Sequence, residues 1–372
     1  MNTNQKTSFD AWLLLATVSL LGIGLVMVTS ASVSLAENQG SSFLRYATHQ
    51  LLALGVGLGA TFFITYIPIR FWEKLSIPML LASIIALAVL LIPGVSRQIN
   101  GSVRWLFLGP ISIQVSEFAK IALIIYIASF IVRRHEEVTS QISGFLKPII
   151  VLTIMAGLIL LEPDFGTAVV LVSTIMGMLF LGGVPFRRFI SLFGLAVSGL
   201  IFLSVASPYR MARLTTFLDP WADQFNTGYQ LTQSLIAFGR GGIFGSGLGN
   251  SVQKLLYLPE PHTDFLYAVI AEELGLLAAL LVLGLFCILV WRIFALGHRA
   301  ILAREPFAGY IAYGIGLWLG LQCFINIGVN VGVLPTKGLT LPLMSYGGCS
   351  LIVALVALGL VFRIDYELRH KI

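Results

Sequence analysis

The chain has 372 residues, 57% of them hydrophobic and only 11% charged, with a formal net charge of +6. A mean hydropathy of +0.93 excludes a soluble globular domain and marks an integral membrane protein. The positive balance fits an inner-face excess of Lys and Arg with attraction to anionic membrane lipid, and gives no reason to invoke nucleic acid.

Ten apolar stretches are long enough to cross roughly 30 Å of hydrocarbon as helices. They centre on roughly residues 11–30, 46–67, 76–93, 117–132, 147–161, 166–184, 188–206, 265–291, 307–332 and 341–362. The expected fold class is all-α: a polytopic membrane protein with about ten transmembrane helices in one integral membrane domain, residues 1–372. Residues 207–264 form a large outer-face loop between spans seven and eight, too long to be an idle connection. With the N-terminus inside, fourteen of the 23 Lys and Arg residues, Arg70, Lys74, Arg133 and Arg292 among them, fall in cytoplasmic segments, so both termini are expected in the cytoplasm. Ser34-Leu35-Ala36 resembles a leader-cleavage site, but the preceding apolar run exceeds the usual signal-peptide core, so the first span is expected to remain. Cys287, Cys323 and Cys349 lie in separate spans without metal-ligand spacing and read as core residues.

Polar groups gather on the outer side. Arg104 and Trp105 suit an interfacial anchor, and the next span opens with Glu117 and Lys120, helical neighbours that can pair at the membrane boundary. Glu162 and Asp164 add carboxylates at the same level, and Lys120 could bond Asp164 or Glu117 as a staple between spans. Arg210 and Arg213 begin the long loop on one side of any helix there, as phosphate-binding forks or as lipid anchors. Residues 227–238 have helical apolar spacing, suiting a helix on the membrane surface or against the bundle. The following glycines lack the strand–helix context of a nucleotide-binding loop, leaving a flexible diphosphate contact or a plain connection. Asp264 directly precedes the eighth span and could cap it. Glu272 then lies about 80° round and about 12 Å deeper, on the cavity side, while Glu273 turns toward neighbouring helices.

These residues sit in ordered blocks that resemble the SEDS family (RodA/FtsW family), the membrane glycosyltransferases of peptidoglycan synthesis. The blocks are Arg104-Trp105, SEFAK (Ser116 to Lys120), EPDFGT (Glu162 to Thr167), YRMAR (Tyr209 to Arg213), FLDP (Phe217 to Pro220), LPEPHTDF (Leu258 to Phe265), AEELG (Ala271 to Gly275) and NIGVNVGVLPTKGLTLPLMSYGG (Asn326 to Gly348). The TKGLTLP portion looks more like the cell-division branch than the elongation branch, and Cys349 stands where the family commonly has Ser.

The resemblance implies polymerisation of lipid II, a disaccharide-pentapeptide on undecaprenyl diphosphate, at the bacterial inner membrane and at the division septum. An inverting transfer needs a base for the attacking hydroxyl and cations for the departing diphosphate. By motif, Asp264 is the expected base, and Arg104, Lys120, Arg210 and Arg213 the diphosphate contacts. The same motifs add His262, Thr263, Glu272, Lys337 and Ser345 as substrate-binding residues. Glu117 and Asp164 would orient Lys120 or, with Asp264, hold a divalent cation (Mg or Mn), and no organic cofactor is expected. A class B penicillin-binding transpeptidase and other division proteins are the implied partners. Gly314, Gly316 and Gly320 would either admit a partner helix or pack internally. The alternative is a lipid II flippase or transporter, disfavoured because the inner halves of the spans carry few polar groups.

Overall fold

The computed structural model describes the chain apart from residues 1–8, 39, 41–43, 95, 100–101, 109–110, 206–210, 212–216, 337 and 371–372. In chain order come α1 (Ala11–Asn38), α2 (Arg45–Tyr66) and α3 (Ile69–Leu90), then strands β1 (Ser96–Ile99), β2 (Ser102–Leu108) and β3 (Ile111–Gln114). Helices α4 (Val115–Arg133), α5 (His135–Ser140), α6 (Ile142–Leu161), α7 (Phe165–Leu181), α8 (Phe186–Val205) and α9 (Tyr229–Gly241) follow, and α10 (Leu266–Leu302), α11 (Pro306–Asn330) and α12 (Gly348–His370) complete the fold.

Each of the ten expected spans is a helix. Among the described residues eight are long and apolar enough to cross a membrane, α7 is a shorter apolar helix, and α8 covers the seventh expected span. The helical state is what hydrocarbon requires, because it satisfies each backbone amide within its own segment. Pro306 opens α11 at a position whose amide needs no helical partner. The segment read as an anchoring loop is instead an antiparallel three-stranded sheet, with Trp105 opposite both Arg97 and Gln114. Sheet pairing disposes of its backbone polar groups, which an open loop at the membrane border would leave exposed.

Successive spans alternate in direction, so the bundle has a loop end, bearing the sheet, α9 and the 217–265 segment, and a terminal end. At the terminal end Asp10, Arg292, Arg299, Asp365 and Arg369 join α1, α10 and α12: Arg299 Nη2 lies 3.2 Å from Asp365 Oδ1, and Arg369 Nε 2.9 Å from Asp365 Oδ2. Within lipid, helices gain little from burying apolar surface against each other, so close packing and such polar ties hold the bundle. α4 is its most enclosed span. Gly314, offered as a site for a partner helix, abuts Ile124 and Met178, while Gly316 meets Phe294 and Gly320 meets Val290. All three pack internally, which corrects the partner-docking reading of this stripe.

α10 is broken at Gly275, whose φ of 79° and ψ of −179° are essentially restricted to glycine. There the glycine-rich loop crosses the helix: Leu276 N donates to Gly242 O at 3.0 Å, Ser246 N to Glu272 O at 2.9 Å and Gly247 N to Glu273 O at 2.9 Å. A Cβ on Gly241 would fall 1.9 Å from Ala271 O, and one on Gly245 2.2 Å from Glu273 O. Close backbone approach therefore accounts for these two glycines without a diphosphate.

Gly275→Ala meets both a forbidden backbone conformation and a Cβ 2.4 Å from Gly245 N. A loss of at least about 1–3 kcal/mol is expected, read as a lowered unfolding temperature of the detergent-solubilised protein.

Candidate active site

The site at the loop end is built around α11. Gln322, Asn326 and Asn330 recur at four-residue intervals in that span and so share one face of the helix. Lys120, on α4, is 1% exposed. Its Nζ lies 2.8 Å from Glu117 Oε1, 3.1 Å from Gln322 Oε1 and 4.6 Å from the centroid of the Trp318 ring. A carboxylate, an amide oxygen and a π face together offset the desolvation of the ammonium. Trp318 Nε1 also donates to Gln322 Oε1 at 2.8 Å, and Gln322 Nε2 donates to Thr340 O at 3.0 Å. Glu117 Oε2 is buried and unpartnered.

Asn326 Nδ2 donates to Asp264 O at 2.9 Å and to Leu339 O at 2.6 Å. Asn330 Nδ2 donates to Asp264 O at 3.0 Å, and its Oδ1 accepts Ala268 N at 3.1 Å. The amide ladder thus fixes the backbone of Asp264, the start of α10 and the 339–340 segment relative to Lys120. Phe265, rather than Asp264, stands at the N-cap position of α10. The Asp264 side chain is half-buried beside Gly338, where a Cβ would sit 3.1 Å from Oδ2. Among the described residues no three His, Cys, Asp or Glu side chains form a metal cage.

The other expected site residues divide. Asp164 does not reach Lys120; it caps α7, accepting Thr167 N at 3.2 Å, and lies 3.5 Å from Arg104 Nε. Arg104 also donates to Pro163 O at 2.8 Å and keeps part of its guanidinium exposed. Lys120, expected to touch diphosphate, is instead enclosed with its donors engaged, so its influence passes through Glu117 and Gln322. Glu272, expected to face a cavity, is fully enclosed: Val252 N and Gln253 N donate to it at 2.9 and 3.3 Å, Ser251 Oγ bonds it, and Arg240 Nε is 3.4 Å away. It fastens the long loop to α10. Glu273 meets Lys254 Nζ at 2.6 Å and Ser30 Oγ, tying the loop to α1, in keeping with its reading as an interhelical partner.

His262 is buried between the Tyr46 and Tyr346 rings, at 5.1 and 5.3 Å, and burial holds its imidazole below the ordinary range against the pull of Glu260. Its Nδ1 has no partner. Thr263 is half-buried, its hydroxyl turned to Glu260. Ser345 donates to Thr263 O and accepts Leu341 N at 2.9 Å, so it staples two loops rather than presenting a hydroxyl to substrate. Arg210, Arg213 and Lys337 lie outside the described residues.

Two features went beyond the sequence reading: the amide ladder, and the unpartnered burial of Glu162. The amide ladder was visible as polar residues at helical spacing inside an apolar run. Glu162 is fully buried with both oxygens unpartnered. Burial, reinforced by Asp164 and opposed by Arg104, pushes its carboxyl up to about 8. Chemically, the loop end offers a half-buried carboxylate with a fixed backbone, a partly exposed arginine and a buried ion pair.

A family model described as cell cycle protein, that of FtsW, RodA and SpoVE, matches residues 11–370. A probable peptidoglycan glycosyltransferase FtsW of Legionella pneumophila is 52% identical over 98% of this chain and 92% of its own length. That of Coxiella burnetii is 52% identical over 97% of both. A chain from a solved assembly described as structural coordination of polymerization and crosslinking by a peptidoglycan synthase complex superposes with TM-score 0.78 at 31% identity, covering 98% of both chains. The rod shape determining protein RodA of Thermus thermophilus superposes with TM-score 0.71 at 29% identity, also over 98% of both.

Lys120→Met strands the buried Glu117 carboxylate, at an expected cost of about 3–5 kcal/mol, whereas adding Glu117→Gln recovers most of it; thermal unfolding of the wild type, the single and the double variant checks this. Glu162 gives a second test. The unfolded chain releases this proton above its ordinary 4.5 while the folded protein retains it to about 8, so stability falls as pH rises across that interval and levels off above it. Glu162→Gln removes that component of the slope in unfolding temperature against pH.

Proposed function

The chain belongs to the family of cell cycle proteins that includes FtsW, RodA and SpoVE, and from this membership we propose that it is a peptidoglycan glycosyltransferase polymerising lipid II. In this reading the loop end faces outward and the terminal end the cytoplasm, which the Lys and Arg distribution supports. The carrying observation is Asp264: its backbone carbonyl is held by two asparagines while its half-buried carboxylate lies beside the small Gly338. A rigidly held, partly accessible carboxylate is what proton abstraction from a sugar hydroxyl needs.

In the proposed step Asp264 takes the proton of the attacking 4-hydroxyl as its oxygen bonds to the anomeric carbon of a second lipid II. The bond from that carbon to diphosphate breaks with inversion, and the electron pair leaves on the diphosphate. Arg104, exposed enough to meet a phosphate oxygen, is assigned to that charge. The motif assigns Arg210 and Arg213 to it as well, with Lys337 and Thr263 contacting the sugar or phosphate. Diphosphate leaves readily without a separate acid. The unpartnered Glu117 Oε2 fits a cation ligand. A divalent cation such as Mg or Mn would be held by Glu117 and Asp264 and would supply positive charge at the diphosphate.

Septal synthesis is the proposed setting, supported by the FtsW naming of relatives at 52% identity. A class B transpeptidase is the proposed partner, supported by the likeness to a chain of a polymerising and crosslinking assembly.

The test incubates purified protein with lipid II, with and without the cognate transpeptidase, and resolves glycan polymer on a gel. Asp264→Ala is expected to lower polymerisation by at least about 100-fold with thermal unfolding unchanged. Polymer from that variant would place the base elsewhere, and lipid II transfer between leaflets without polymer would favour the transporter.

A further inference from the structure

A cleft of about 370 Å³ opens at the terminal end, between the first turns of α3 and the last turns of α4, lined by Arg70, Glu73, Lys74, Ser76, Ser129 and Arg133 with Ile77. Three cations face one carboxylate there. Arg70 is partly satisfied by Glu305, 3.1 Å away, but neither Lys74 nor Arg133 has an ion-pair partner among the described residues. Arg133 is held at the wall by its Nε bond to Ser129 O at 3.3 Å. Ser129 itself is fully buried, and its hydroxyl has no partner. A buried donor beside unpaired cations is an incomplete polar site, and an oxygen-rich anion completes it.

The position sets the class of anion. Arg70 and Arg133 stand at the ends of their helices, where headgroups lie, while Ile77 sits about 10 Å further along α3. From Ile77 an apolar stripe continues at four-residue intervals through Leu81 and Ile85, which are 45%, 53% and 62% exposed. A free phosphate would use the cations and leave this stripe idle; a phospholipid uses both. We propose that the cleft binds the headgroup of an anionic phospholipid, its phosphodiester on Lys74, Arg133 and the Ser129 hydroxyl and one acyl chain along Ile77, Leu81 and Ile85.

The experiment is native mass spectrometry of the full-length protein in detergent with equimolar phosphatidylglycerol and phosphatidylethanolamine. Preferential retention of phosphatidylglycerol is expected, reduced on the order of fivefold for each of Lys74→Gln and Arg133→Gln, with phosphatidylethanolamine unchanged. Ser129→Ala, which keeps both cations, is expected to weaken retention in the same direction, and thermal unfolding verifies that each variant is folded. Equal retention of the two lipids by the wild type, or a preference surviving the Lys74→Gln/Arg133→Gln double variant, overturns the proposal. Displacement of the lipid by millimolar inorganic phosphate with no effect of Leu81→Ser also overturns it, in favour of a free-anion site.

Discussion

The amide ladder on α11 is the constraint on which the loop end depends. Three carboxamides in an apolar span would be costly if left unsatisfied, and here each spends its groups on segments outside α11. Gln322 reaches Lys120 and Thr340, Asn326 reaches Asp264 and Leu339, and Asn330 reaches Asp264 and the first turn of α10. One helix face thereby sets the register of α4, the 264 turn and the 339–340 segment together. Sliding any one of them would strand buried donors, so the desolvation penalty enforces the geometry.

The carboxylates near this end illustrate how environment rather than residue type decides role. Glu117 is neutralised by Lys120, Asp164 caps a helix and meets an arginine, and Glu272 and Glu273 are consumed by backbone amides, hydroxyls and a lysine. Glu162 has neither partner nor solvent, which is why its proton is retained. Asp264 differs from all of these in being clamped through its backbone and half-open at its side chain. That combination is what supports the proposal of Asp264 as the base, beside its place in the motif.

Much of this was legible beforehand, for physical reasons that can be named. Spans announce themselves because hydrocarbon admits little but apolar helix, and the Glu117–Lys120 pair follows from three-residue spacing on one turn. Glu272 shows the limit of that logic: helical periodicity gives a side chain's direction, not what folds over it, and the glycine-rich loop covers its face. The sheet around Trp105 escaped because its short strands lie among turn-forming residues. The partners of Gln322, Asn326 and Asn330 come from residues distant in the chain, which no local pattern encodes.

The break at Gly275 has a mechanical consequence. Residues 266–274 are bonded sideways to the crossing loop, whose amides bind Glu272 O and Glu273 O, and the same short rod begins two residues after Asp264. The same loop accepts Leu276 N and Leu277 N beyond the break, so it splints the two parts of α10 across Gly275, while the far end of α10 is anchored to α1 and α12 through Arg292 and Arg299. The backbone bonds missing at the kink are thus replaced by the loop that crosses it, and displacing that loop would loosen the hinge just below Asp264.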